Sequence, residues 1–156
     1  MSAPTASPSP SASPSASPSP SPFPSASALA PAVAAFFEGS RSGDPDAWAA
    51  PFAPDAEYHD PVGTPVLAGR AAIRDQFAAV LPLFGRFDGI RPDRVHGGGD
   101  EMAVTWRGAG ETPDGRPVAW EGVNVFALGA DGLIAHCRAY FDLASVLAQL
   151  APEVSE

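Results

Sequence analysis

The second half of the chain reads as four long strands joined by short turn-forming connectors, and this pattern limits the fold more than any other feature. The strand-like segments cover residues 87–96, 102–111, 118–128 and 133–142, and they are separated by "GGGD", "TPDGRP" and "GADG". Each connector contains the glycine, aspartate or proline that tight hairpin turns require. Consecutive hairpins form an antiparallel meander, so we predict one sheet for this half.

Helices are predicted before the strands. Asp44 and Pro45 form a helix cap followed by a proline at the first helical position, and they predict a short second helix that carries Trp48 and Phe52 on one face. A first helix that ends near Gly43 is predicted from apolar residues at helical spacing, which are Leu29, Val33, Phe36 and Phe37.

The remaining elements complete an α+β domain. A short strand is predicted over residues 56–60, and a closing helix over residues 143–150. Helices followed by a meander indicate a domain with the helices on one face of a curved sheet. A third helix over residues 70–83 is predicted from the stripe Ile73, Phe77, Val80, Leu81 and Phe84.

The strand over residues 118–128 is apolar on both of its faces. One alternating set contains Trp120 and Phe126, and the other contains Val123 and Val125. A sheet with one solvated face alternates more cleanly between apolar and polar residues. We therefore expect the helices and a pocket to cover one face and a second subunit to cover the other, as in a homodimer.

Composition divides the chain into two parts. Residues 1–27 are almost wholly Ser, Pro and Ala without a charged side chain, and we interpret them as a disordered tail. The folded domain is predicted over residues 28–156, and it carries the whole net charge of −9. This charge disfavours nucleic acid and anionic membranes as partners, since both require clustered cations. The single cysteine, Cys137, excludes an internal disulfide and favours a cytoplasmic location.

The stretch "EYHDPVGTPV" places Asp60 where a strand ends and an apolar loop begins. An aspartate before proline is common as a turn cap, but the position also suits a general base at the mouth of a pocket. Tyr58 lies two residues earlier, on the same strand face. Its hydroxyl is either a second functional group or a solvated end of an amphipathic strand residue. The residues themselves leave both alternatives open.

Three stretches of the domain resemble a known superfamily. They are "SGDPDAWAAPFAPDA", "FAPDAEYHDPVGTPVLAGRAAIRDQF" and "FALGADGLIAHCRAYFD", and they resemble the ketosteroid isomerase and SnoaL-like polyketide cyclase branch of the nuclear-transport-factor-2-like superfamily. The resemblance covers nearly all of residues 30–146. It implies a cone in which a strongly curved, mixed but mainly antiparallel sheet packs on three N-terminal helices and encloses an apolar pocket, usually in a dimer.

The resemblance also implies roles for individual residues. Ketosteroid isomerases use an aspartate base with an oxyanion hole made of a tyrosine and a protonated aspartic acid. Their base aligns with Asp60, whereas Phe36 replaces the tyrosine and Asn124 replaces the aspartic acid; Phe77 replaces a supporting tyrosine. Asn124 still donates through its amide, and Tyr58 offers a replacement hydroxyl. The substrate-binding positions implied by the family are Phe36, Phe77, Val104, Trp106, Trp120, Cys137, Ala139 and Phe141.

The resulting hypothesis is a small, cofactor-independent enzyme of steroid delta-isomerase or polyketide cyclase type, acting on an apolar ligand that contains a carbonyl group. The alternative is a non-catalytic ligand-binding or dimerisation domain of the same superfamily.

The histidines are scattered, and no spacing suited to zinc or loop suited to phosphate is found in the sequence.

Overall fold

The computed structural model describes residues 4, 5 and 29–153, and within them the elements follow the predicted order. Apart from Pro4 and Thr5, the predicted tail lies outside the described residues. The helices are α1 (Pro31–Ser42), α2 (Pro45–Ala49), α3 (Arg70–Val80) and α4 (Leu143–Leu150), with a short 3-10 turn (Leu81–Leu83) after α3. The strands are β1 (Phe52–His59), β2 (Leu67–Ala68), β3 (Arg86–Gly98), β4 (Glu101–Glu111), β5 (Pro117–Leu128) and β6 (Ile134–Tyr140).

The six strands form one mixed sheet in the order β2-β1-β6-β5-β4-β3. Strands β3 to β6 pair antiparallel with their neighbours in sequence, so the predicted meander is confirmed. Strand β1, which precedes the meander in the chain, lies next to β6 and runs parallel to it. The register between β3 and β4 shifts twice, and such bulges bend the strand and increase its twist.

The structure corrects the predictions around the first strand. Phe52 was expected on the short second helix, but it opens β1, and the strand runs through Pro54. Proline is tolerated there because the register between β1 and β6 shifts between Phe52 and Glu57, so no ladder bond is lost. Strand β2 was not predicted, since two residues are too few to show an alternating pattern.

Helix α1 is fixed to the sheet through a buried serine. The Ser40 hydroxyl donates to the Phe37 carbonyl at 2.7 Å and accepts from the Ile90 amide at 3.0 Å. The Arg41 guanidinium donates to the Ile90 carbonyl at 3.1 Å. A fully buried hydroxyl is costly unless it is paired, and here its bonds set the distance between α1 and β3.

The centre of the core is a cluster of aromatic rings around Phe36. This side chain has no exposed surface, and its ring lies 5.1 Å from that of Phe126 and 5.9 Å from that of Phe52. The rings of Tyr58 and Phe77 lie 6.4 and 6.5 Å from it. Mostly edge-to-face contacts of this kind add to the stabilisation from burial.

No helix in the described residues is long and apolar enough to cross a bilayer.

Candidate active site

A cavity of about 110 Å³ lies between the sheet and the helices. Most of its wall is aromatic or aliphatic, and α4 contributes Leu143, Val146, Leu147 and Leu150 to it. Polar side chains line it at four positions, which are Tyr58, Asp60, Gln76 and Asn124. An apolar cavity with a few convergent polar groups is the usual form of a small-molecule site.

The cavity brings together six of the residues singled out in the sequence: Tyr58, Asp60, Trp106, Trp120, Asn124 and Phe141. The five other predicted substrate-binding residues do not line it. They belong to the core, with at most 1% of their surface exposed, and they are Phe36, Phe77, Val104, Cys137 and Ala139. Strand alternation predicts which side chains point inwards, but the inner face of the sheet is shared between the cavity and the packed helices.

Several lining residues were not among the predicted binding residues. Trp48 and Phe87 come from α2 and β3, and Val80 and Phe84 come from α3 and the turn after it. The helical periodicity of Trp48, Val80 and Phe84 was visible in the sequence, as was that of the α4 residues, whereas Phe87 lies on a strand. Periodicity shows that a face is buried, but it does not show whether that face meets protein or an empty cavity.

The segment that carries Asp60 is held on both sides. The Gly69 amide donates to the Ala56 carbonyl at 2.7 Å, and the Arg70 guanidinium donates to the Phe52 carbonyl at 2.8 Å. Beyond Asp60, the Val62 amide donates to a β6 carbonyl at 2.8 Å. The Gly-Arg pair that opens α3 thus fixes β1, and the bond from Val62 holds the loop against the sheet.

Asp60 has the environment of a base rather than that of a cap. Burial raises the pKa of its carboxyl from 3.8 to about 6, and a polar contact with the Tyr58 hydroxyl opposes the rise only in part. Among the described residues, the Tyr58 side chain is the only hydrogen-bonding group that affects the pKa of this carboxyl, and no backbone N–H group does. A cap would accept a bond from a backbone N–H group, which lowers a carboxyl pKa. At neutral pH Asp60 is therefore mostly ionised and ready to accept a proton.

Asn124 links the groups next to Asp60. Its side chain is almost fully buried, and its Oδ1 accepts from Trp106 Nε1 at 2.9 Å. Its Nδ2 donates to Cys137 Sγ at 3.5 Å, and the amide also contacts the Tyr58 hydroxyl. The amide is thus engaged by protein groups, so Asn124 is placed to hold Tyr58.

Tyr58 and Cys137 both keep their protons. Burial, followed by the negative charge of Asp60, raises the pKa of the Tyr58 hydroxyl well above its usual value. The same two causes raise the pKa of the Cys137 thiol. Tyr58 is therefore a neutral hydrogen-bond donor, while Cys137 lacks the thiolate character of a nucleophile.

No three His, Cys, Asp or Glu side chains in the described residues are grouped so that they could hold a metal ion.

The two tryptophans of the sheet each lie opposite a glycine. Trp106 pairs with Gly122, and Trp120 pairs with Gly108, across β4 and β5. A Cβ atom built on Gly122 would lie 2.7 Å from Trp106 Cζ2, and one on Gly108 would overlap the Trp120 ring. The indoles occupy the space that a side chain would fill on the neighbouring strand. The repeated Trp-x-Gly in "TWRGAG" and "AWEGVN" was the sequence signal for this arrangement.

The chain is similar in sequence to a known domain family and to a known enzyme. The SnoaL-like domain matches residues 33–137. The steroid Delta-isomerase of Nocardioides simplex is 34% identical over 110 residues, which span 70% of this chain and 86% of that enzyme.

Solved structures share the fold. The epoxide hydrolase/cyclase-like enzyme SalBIII, which has a role in pyran ring formation in the polyether salinomycin, is 29% identical, with a TM-score of 0.63 over 73% of this chain and 90% of its own. TerC, co-crystallised with polyporic acid, has a TM-score of 0.65 at 22% identity, over 76% of this chain and 95% of its own. A hypothetical protein with a ketosteroid isomerase-like fold from Catenulispora acidiphila, in complex with trimethylamine, has a TM-score of 0.63 at 22% identity, over 76% of this chain and 91% of its own.

Proposed function

The chain belongs to the SnoaL-like domain family, and from this premise we propose that it is a cofactor-independent enzyme that moves a proton on an apolar, carbonyl-containing substrate. Asp60 is the base, and the Tyr58 hydroxyl, held by Asn124, binds the carbonyl oxygen. Trp106, Trp120 and Phe141 form part of the apolar wall. The isomerase and cyclase-like relatives support an enzymatic role of this general kind.

One observation carries the proposal: the Asp60 carboxyl, raised in pKa to about 6, lines the same apolar cavity as Tyr58 and Asn124. A base is most effective when its pKa lies near the operating pH. A hydrogen-bond donor beside it is needed because the substrate oxygen gains negative charge as the proton leaves the carbon. Both requirements are met by neighbouring groups in this cavity.

The proposed step is a proton transfer with an enolate intermediate. A C–H bond next to the carbonyl breaks, its proton passes to the Asp60 carboxylate, and its electron pair moves into the enolate. Once Asp60 has taken up the proton, the Tyr58 O–H leaves its contact with that carboxyl and donates a hydrogen bond to the enolate oxygen; it remains neutral because its pKa is raised. Asp60 then returns the proton to the original carbon or, in a conjugated enolate, to a different carbon.

The test is exchange of solvent deuterium into a cyclic β,γ-unsaturated ketone, followed by mass spectrometry. We expect exchange that decreases as the pH falls through about 6, since protonation of Asp60 removes the base. Asp60→Asn should abolish this exchange. Asp55→Asn is the matched control, because Asp55 is an exposed carboxylate on β1, the strand that ends just before Asp60. Absence of exchange above background with a ketone that binds would contradict the proposal and favour the non-catalytic ligand-binding alternative.

Two replacements of Asn124 should show whether its hydrogen bonds or its volume determine stability and exchange. Asn124→Leu leaves the Trp106 N–H, now bonded at 2.9 Å, without an acceptor and frees Tyr58. We expect it to lower the free energy of unfolding by about 1–3 kcal/mol and to slow exchange. Asn124→Asp keeps an oxygen for Trp106, and an aspartic acid in this buried site should remain protonated and donate, so it should retain both properties. Equal urea midpoints and exchange rates for the two variants would contradict this role.

We also propose a homodimer through the outer face of the sheet. The residues Val123, Val125, His136, Arg138 and Tyr140 point away from the core and are partly or fully exposed, and 46% of Tyr140 is accessible. His136 Nδ1 lies 3.5 Å from Glu57 Oε2 at the edge of this patch. An apolar centre with polar residues around it suits a two-fold interface.

Arg138→Glu should weaken this dimer, because it reverses one charge in each copy of the patch. Light scattering after size-exclusion chromatography should show a dimer mass for the wild type and a shift towards monomer for the variant. Arg74→Glu is the control, since it makes the same change on α3, where Arg74 pairs with Asp46 at the surface and such a pair contributes little stability. A monomer mass for the wild type at micromolar concentration would exclude the dimer.

A further inference from the structure

The volume of the cavity limits the size of the ligand that it can hold. The space between the sheet and the helices measures about 110 Å³. An apolar cavity of about 150 Å³ is enough for one benzene ring, whereas sites for drug-sized ligands usually measure about 300–1,000 Å³. The cavity therefore has room for one six-membered ring but not for several fused rings.

Trp120 occupies part of the space that a larger ligand would need. Its indole lies over Gly108 of the neighbouring strand, where an added Cβ atom would come within 2.3 Å of Trp120 Cε2. Its ring also lies 5.5 Å from the ring of Phe84 and 5.8 Å from that of Phe87. These neighbours hold the indole in place, so its bulk is a fixed part of the cavity wall.

A second indole limits the cavity from the side of the helices. Trp48 comes from α2, and its ring stacks on that of Phe77 with the centroids 3.9 Å apart and the planes 8° from parallel. Trp48 is only 6% exposed, and Phe77 is fully packed in the core. Because extra atoms forced into a well-packed region displace its side chains at a cost in free energy, this wall does not widen easily.

Helix α4 closes the cavity on its remaining side. The helix is tied to β5, where the Ala119 amide donates to Gln149 Oε1 at 3.0 Å. Two leucines of the wall are about half exposed, Leu83 at 49% and Leu147 at 51%, so the cavity meets solvent between the turn after α3 and α4. Rings that extended past these leucines would stay in water and gain little from burial.

We propose that the substrate is monocyclic: a six-membered cyclic ketone with short substituents, rather than a fused polycyclic ketone. This inference rests on the proposed function, which supplies the reacting carbonyl at Tyr58 and the C–H bond at Asp60, and it adds the size of the ring system. Trp120 is then a specificity-determining residue, because its indole excludes a second fused ring from the interior.

Phenol and 2-naphthol, which are stable enols with one ring and with two fused rings, test the inference. Isothermal titration calorimetry measures their binding independently of turnover. A cavity that buried both rings would bind 2-naphthol about a hundredfold more tightly than phenol, because of the added apolar surface. For wild type we expect a difference in Kd of less than about threefold, since the second ring gains little burial.

Two variants locate the size limit. Trp120→Leu opens space beside Gly108, and it should shift the ratio of the two Kd values by about tenfold in favour of 2-naphthol. Leu83→Ala removes a similar amount of apolar side chain at the mouth, and it should leave the wild-type ratio unchanged. Equal shifts in the two variants would place the limit at the mouth and would overturn the role of Trp120.

The outcomes separate this inference from the proposed reaction. Binding of 2-naphthol by wild type that is more than about tenfold tighter than that of phenol would overturn the single-ring limit, whichever variants fold. If the limit is observed but 3-cyclohexenone exchanges no deuterium, the substrate size holds and the proposed reaction is wrong. If 3-cyclohexenone exchanges deuterium while 2-naphthol is strongly preferred, the reaction holds and the size limit is wrong.

Discussion

Asp60→Asn should reduce turnover by at least about a hundredfold and at the same time make the folded protein more stable. Asparagine cannot accept a proton, so the base of the proposed reaction is lost. The same substitution removes a buried negative charge, and it keeps a side-chain oxygen for the contact with Tyr58. A loss of activity together with a gain in stability distinguishes a strained functional group from a residue that supports the fold.

The gain in stability should depend on pH with a definite sign. The pKa of Asp60 is about 6 in the folded protein, above its ordinary 3.8, so the folded state holds the proton more tightly than the unfolded state. The protonated carboxyl therefore contributes to the stability of wild type relative to Asp60→Asn at low pH. This contribution should be lost as the pH rises from about 4 to above 6. The full difference is at most about 3 kcal/mol, because the residue keeps some contact with solvent.

Urea denaturation of wild type and Asp60→Asn between pH 4 and 8 measures this difference directly. Asp55→Asn serves again as the control, since this exposed carboxylate lies outside the cavity and its replacement should change stability and turnover little. The opposite result, unchanged turnover with lower stability in Asp60→Asn, would identify Asp60 as a structural residue of the loop and would remove the proposed base.

Phe36→Ala should lower the free energy of unfolding by about 3–5 kcal/mol, the usual cost of removing a large aromatic side chain from a core. The ring has no exposed surface and is surrounded by six neighbouring rings at centroid distances between 5.1 and 6.5 Å. A domain of this size has about 5–15 kcal/mol of stability in total, so the variant should remain only marginally folded. Chemical denaturation at neutral pH gives the value.

Phe36→Tyr tests whether this position belongs to the core or to the site. Tyrosine would restore the residue found in ketosteroid isomerases, but the new hydroxyl would lie among aromatic rings rather than in the cavity. We expect a loss of about 1–3 kcal/mol from an unpaired polar group and no gain in deuterium exchange. Faster exchange in Phe36→Tyr would show that the ring reaches the substrate, which would contradict the core assignment.

Local chemistry explains why some features could be predicted from the sequence. Asp60 stands out because a carboxylate between a strand and an apolar loop needs an explanation. The hairpins stand out because turn residues interrupt alternating apolar segments at regular intervals. Both signals extend over a few adjacent residues, so a single sequence contains all of the information that they need.

The boundary between core and cavity could not be predicted in this way. Phe36 and Phe84 look alike in the sequence, as apolar residues at helical spacing, but Phe36 packs in the core and Phe84 lines the cavity. The difference depends on how far α3 and α4 lie from the sheet, which is set by long-range packing.

The pairing of each sheet tryptophan with a glycine has an evolutionary consequence. The shape of the cavity depends on two side chains that are missing, at Gly108 and Gly122. A single methyl group added at Gly108 would displace the Trp120 indole and reshape the cavity, and Trp120 holds none of the polar groups of the site. A methyl group at Gly122 would press on Trp106 and on the Tyr140 carbonyl, so it would also disturb the bond from Trp106 to Asn124. Descendants of this chain can therefore change or lose their substrate by gaining atoms, and their acid–base residues would still appear intact.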